Sequence, residues 1–171
     1  MKYFVIFCLT IWLCLSLNGQ KPSDNIHLAE KYPDKDFVIL NKFDATSLRF
    51  KKDTLEFIHK NENTIYYTSD RSAAYYKHSI ENSKLREMTD ISAYTLAEIP
   101  DKNKYKKYIV KNFDKKQNIS NSIFYEDITT TSFEYENLKK GSISFKSFTL
   151  KYNYPQLPII FFFGGLTPIL K

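Results

Sequence analysis

From Ile91 to Ile99 the chain repeats with a period of two, placing Ile91, Ala93, Thr95, Ala97 and Ile99 on one side. That period belongs to a β-strand, whose successive side chains point to opposite faces; a helix cannot keep this set together. The longest such run is Ser142 to Tyr152, where Ile143, Phe145, Ser147, Thr149 and Lys151 oppose Ser144, Lys146, Phe148, Leu150 and Tyr152. Its apolar character changes face near Ser147, which predicts a bulge or a strand crossing between sheets. Shorter strands are expected at Phe37–Leu40, Leu48–Phe50, Leu55–Phe57, Ile65–Thr68, Tyr105–Phe113, Ser122–Tyr125 and Thr130–Tyr135.

The punctuation fits many strands. Lys51-Lys52-Asp53 reads as a hairpin turn, and Asn61-Glu62-Asn63, Pro100–Asn103 and Asn137–Gly141 read as polar turns. Asp114–Asn118 reads as a polar loop. Ile26–Tyr32 suits one or two helical turns, closed by Pro33-Asp34. Ser69–Met88 leaves strand and short helix both open. With 13 Tyr and 14 Phe but only 4 Gly, the composition favours pleated, half-buried surfaces and argues against a Gly-rich phosphate loop. The expected fold class is all-β: a β-sandwich of mostly antiparallel strands, with an N-terminal signal helix and one short helix.

Residues 1–19 have the parts of a secretory signal. Lys2 is the positive end, Tyr3–Leu17 the apolar run, and Ser16 and Gly19 the small residues before the polar Gln20-Lys21. The run is too short for an ordinary membrane span. An exported chain, periplasmic or extracellular, follows, with no stable membrane span once the signal is cleaved. Both cysteines, Cys8 and Cys14, fall in this leader. The chain from residue 20 therefore holds no disulfide, thiolate metal site or cysteine nucleophile.

The formal charge is +6, and removing Lys2 with the leader leaves +5. The excess is interleaved with acids. The densest basic stretch, Lys102–Lys107, sits at an expected hairpin, where charged tips are routine. No nucleic-acid partner is implied. His27, His59 and His78 have no metal-ligand spacing, no G-x-S-x-G elbow occurs, and Glu126-Asp127 and Glu134 with Glu136 read as solvated charge. No metal or cofactor is expected. Asn118-Ile119-Ser120 fits a glycosylation acceptor, which matters only in a eukaryotic source. The tyrosines carry the one functional expectation from the residues themselves. Tyr66, Tyr75, Tyr94, Tyr105 and Tyr108 form a candidate binding surface for peptide or sugar, if they share an exposed face.

Four stretches, in order, carry a resemblance. They are Ala29–Leu40 with its Tyr32-Pro33-Asp34; Ile91–Thr95 leading to Ile99-Pro100-Asp101; Phe124–Asp127 with Thr131-Ser132-Phe133; and Leu138–Ile143 running into Tyr152. Together they resemble the uncharacterised β-rich domain at the N-terminus of many exported bacterial transglutaminase-like proteins. The resemblance implies a single β-sandwich domain over residues 20–171 that acts beside a papain-like Cys-His-Asp core. No positions here match that core. The implied protein is a C-terminally incomplete, non-enzymatic module of the bacterial envelope that binds or positions a protein or glycan there. The alternative is an envelope carbohydrate- or peptide-binding protein. The apolar Ile159–Leu170 stretch is expected to be a core or interface strand. The sequence does not indicate an oligomeric state.

Overall fold

The computed structural model describes residues 21–51, 54–118 and 128–152. The leader, the expected strand at Ser122–Tyr125, the Glu126-Asp127 pair and the apolar Ile159–Leu170 stretch lie outside the described residues. Within them the fold is all-β. Strands β1 (Phe37–Lys51), β2 (Thr54–Tyr67), β3 (Lys77–Asn82), β4 (Arg86–Ile99), β5 (Lys104–Ile109), β6 (Asp114–Asn118), β7 (Ile128–Glu134) and β8 (Ile143–Tyr152) are joined by one short helix, α1 (Ile26–Lys31). Two 3-10 turns, Pro22–Asp24 and Asp70–Tyr75, complete the set. All strand pairs are antiparallel and form two sheets, ordered β1-β2-β8-β4-β5 and β3-β7-β6.

The larger sheet has two differently covered faces, and register assigns each residue to one. Ser144, Phe148 and Leu150 of β8 share a face with Ile91 and Ala93 of β4. There Ala93 packs with Ile80 of β3, Val110, Phe133 of β7 and Tyr135, with Ile91 and Phe148 against them. This is the core between the sheets. The opposite, outer face carries Tyr66, Ile143 and Leu96 in one row. Leu28 of α1 is buried on Tyr66 and Ile143, with Leu96 and Tyr105 beside it. Helix α1 thus covers one end of the outer face with a single deeply placed leucine.

This double cover explains what the β8 pattern meant. No bulge occurs in β8, whose pairing is regular on both sides except where its neighbour β4 inserts Thr89. The apolar side switches because Ile143 meets α1 on the outer face, while Phe148 meets the small sheet on the inner one, the face on which Leu150 is also buried. A second bulge inserts Leu40 in β1. It turns Lys42, Asp44 and Thr46 to the inner face, opposite Asn63, Asn61 and His59.

Several local expectations are corrected. Asn61-Glu62-Asn63 is not a turn; it lies in the middle of β2, paired to β1 on one side and β8 on the other. Phe37–Lys51 is likewise one strand rather than two. Asp114–Asn118 is not a loop but the edge strand β6, paired to β7. Ser69–Met88 resolves into the Asp70–Tyr75 turn, strand β3 and the start of β4. The Lys51↔Thr54 pairing leaves two residues between β1 and β2, the length of a tight hairpin. Near that end Leu48 and Phe50 are 62% and 78% exposed.

Candidate binding cleft

Three turns converge above the end of the outer face where α1 lies. The first is the Pro22–Asp24 turn leading into α1. It is tied to the second, the β4–β5 turn, by a reciprocal pair. The Ser23 backbone N–H donates to Asn103 Oδ1 at 3.1 Å, and Asn103 Nδ2 donates to Ser23 Oγ at 3.2 Å. Asn103 and Asp101 both have left-handed backbone, with φ of 43° and 63°, a conformation Asn and Asp tolerate better than most residues. The third turn joins β7 to β8. Gly141 has φ +81° there, and its N–H donates to the Tyr67 carbonyl at 2.8 Å. Tyr105 closes the ring by donating its hydroxyl to the Gly141 carbonyl at 3.2 Å.

Between these turns lies a cleft of about 410 Å³. Ile26 and Ala29 of α1 form one wall, Tyr66 the floor, and Glu98 and Lys140 bring charge. The Tyr66 hydroxyl is held above its ordinary pKa by burial and then by the Glu98 carboxylate. Burial pushes Tyr105 up to about 12, Glu98 and Asp24 add to this, and a hydrogen bond with Asn25 opposes it. Both hydroxyls therefore stay protonated at neutral pH, so they can donate hydrogen bonds and are poor bases. The chemistry on offer is recognition: apolar wall, aromatic floor, one carboxylate and one ammonium.

The five tyrosines singled out from the sequence do not share one surface. Register puts Tyr66, Tyr94 and Tyr105 on the outer face, but Tyr108 has the parity of the buried Thr95 on the inner one. Tyr75 lies in a 3-10 turn, its ring edge-on to Phe37 at 5.1 Å, its hydroxyl donating to Asp36 at 3.1 Å. Asp36 is kept below the usual carboxylate range, first by the Ser69 hydroxyl and further by Tyr75 and Arg71. Tyr94 is stacked on Phe145 at 4.8 Å, and Lys107 lies 3.9 Å over its ring. Of the five, Tyr66 lines the cleft and Tyr105 supports its rim. Glu98 and Lys140 were not singled out from sequence, because a charged residue near a turn ordinarily reads as solvated.

The three histidines do not meet. His27 is exposed on α1 and His78 stacks on Phe133 at 5.7 Å inside the core. Among the described residues no group of three His, Cys, Asp or Glu side chains is placed to hold a metal. His59 belongs to a polar group on the inner face. Thr46 Oγ1 lies 3.1 Å from His59 Nδ1, and His59 Nε2 lies 3.5 Å from Asp44 Oδ1. Asp44 also accepts from Asn61 Nδ2 and pairs with Lys42 Nζ at 3.5 Å. Hydroxyl, imidazole and carboxylate thus stand in line. The Asp44 and His59 side chains are only 9% and 13% exposed, and the carboxylate is shared among three neighbours. This is an interior network linking β1 to β2. Glu134 and Glu136 are exposed, as expected for solvated charge, with Glu134 3.8 Å from Lys77. Among the described residues no helix is long and apolar enough to cross a membrane.

Compared with known proteins, the chain matches no family model and no curated protein. It is similar to the crystal structure of a "putative protease" from Parabacteroides distasonis, with a TM-score of 0.52 and 14% identity. The match covers 70% of this chain and 24% of that one, so the shared fold is about a quarter of a larger protein.

Proposed function

We propose that this chain is a non-catalytic, exported β-sandwich module whose task is to bind or position a partner through the cleft between α1 and the β4–β5 and β7–β8 turns. The observation that carries the reading is the way the cleft is built. Its three turns are bonded to one another through Ser23–Asn103 and Tyr105–Gly141, so its shape exists before any ligand arrives. A recurrence of the fold within a longer chain supports an accessory role. So does the resemblance to the domain that precedes transglutaminase-like cores.

A peptide or protein segment suits the cleft better than a sugar. Sugar recognition on a sheet uses the open faces of aromatic rings. Tyr94 has its ring between Phe145 and Lys107, and Tyr66 is a buried floor. The test is selection of a displayed random-peptide library on the purified chain, followed by binding to the Ile26→Lys variant. Ile26 is 64% exposed and lines the cleft, so the change should leave the fold intact. Enriched peptides should lose at least tenfold in affinity for the variant. Undiminished binding, or enrichment only on glycan arrays, would overturn the reading.

A further inference from the structure

Resting on that reading, we infer that the cleft takes the side chain of a single lysine or arginine from an extended peptide, with Glu98 as its charge partner. Glu98 has no ion-pair partner among the described residues, yet its carboxylate influences both Tyr66 and Tyr105. Its Oε2 lies 3.7 Å from where a Cβ on Gly141 would stand, so the carboxylate leans inward against the β7–β8 turn. Asp24 also acts on Tyr105 and adds negative potential. The opposite wall is aliphatic, from Ile26 and Ala29.

A long basic side chain fits this pairing. Its methylene stem lies along apolar surface while its head reaches a carboxylate. An arginine head adds planar donors that match a carboxylate edge. A volume of about 410 Å³ accommodates one such side chain with part of its backbone. Lys140, which lines the same cleft, is left to repel a second cation once Glu98 is paired with the first. Runs of basic residues are therefore disfavoured, and an isolated one, flanked by neutral or acidic residues, is preferred.

The experiment is an NMR titration of the full chain with blocked pentapeptides Ala-Ala-Xaa-Ala-Ala, where Xaa is Arg, Lys, Gln or Glu. Arg and Lys should bind about tenfold more tightly than Gln, and Glu more weakly still. Glu98→Gln should abolish the difference between Arg and Gln without altering the spectrum away from the cleft. Lys140→Ala should improve binding of an Arg-Arg peptide. Equal binding of all four peptides at the cleft would overturn the basic-side-chain inference and leave the cleft itself standing. Absence of shifts around Ile26 and Gly141 with every peptide would overturn both.

Discussion

Asp44 gathers three partners on the inner face, and its removal should be felt throughout the fold. Lys42 and Asn61 direct donors to it, and His59 Nε2 lies 3.5 Å away. Truncation to alanine leaves these groups in a poorly hydrated place without their acceptor. For Asp44→Ala we expect a loss of about 2–4 kcal/mol in urea unfolding. Asp44→Asn, which keeps one acceptor oxygen, should lose clearly less. A change below about 0.5 kcal/mol for the alanine variant would mean that water replaces the carboxylate freely. His78 gives the residue scale a second handle, through pH. Burial, and after it the charge of Lys146, holds its pKa down to about 4, against a bond to the Tyr75 backbone that favours protonation. The ring is also enclosed by Phe133 and Tyr135. The unfolded chain takes up the His78 proton near pH 6.5, but the folded chain resists until about pH 4. This contribution to stability is therefore complete above pH 6.5 and drains away as pH falls towards 4. Denaturation midpoints should decline across that window, and His78→Phe should flatten the decline. An unchanged slope in the variant would assign it to other groups.

Among the elements, β6 was the least visible from sequence, and its chemistry explains why. All the side chains from Asp114 to Gln117 are exposed, so no alternation of apolar and polar residues marks it. What makes it a strand is backbone pairing with Thr129–Ser132 of β7, information held in another part of the chain. Lys115 lies opposite the buried Thr131 and so has the parity of the face turned towards the other sheet. An inward-facing charge on an edge strand is a known obstacle to edge-to-edge pairing. Replacing both Lys115 and Lys116 by valine should therefore produce concentration-dependent self-association in light scattering, with little change in thermal stability. A variant that remains monomeric would show that the lysines do not guard this edge. The Asn61-Glu62-Asn63 error has a related origin. The bulge at Leu40 supplies Asp44 as the partner for Asn61, and Glu62 meets Lys60 Nζ at 2.6 Å on the outer face. Asn61 in mid-strand looked like part of a turn because its partner Asp44 lies on another strand, which local spacing does not show.

At the scale of the molecule, the two-residue repeats were enough to read an all-β architecture with a short helix near residue 26, and the strongest repeats became β4 and β8. The cleft was not legible in that way. It depends on Ser23 meeting Asn103, 80 positions away, and on Tyr105 meeting Gly141, contacts that no spacing rule encodes. Of the tyrosines named from the sequence, Tyr66 and Tyr105 lie at the proposed cleft, while Glu98 was not named because its significance comes from what surrounds it. The strand order has a consequence for how such a chain is made. Strand β8, the last in sequence among the described residues, sits in the centre of the larger sheet, between β2 and β4. During synthesis those two strands have left the ribosome long before the ribbon that joins them exists. Until about residue 152 emerges, each offers a bare row of amides and carbonyls, and late, long-range closure of this kind is slow. Such a chain therefore spends the time before its central ribbon arrives with two facing edges open to mispairing, and slowing the arrival of residues 143–152 should lengthen that window.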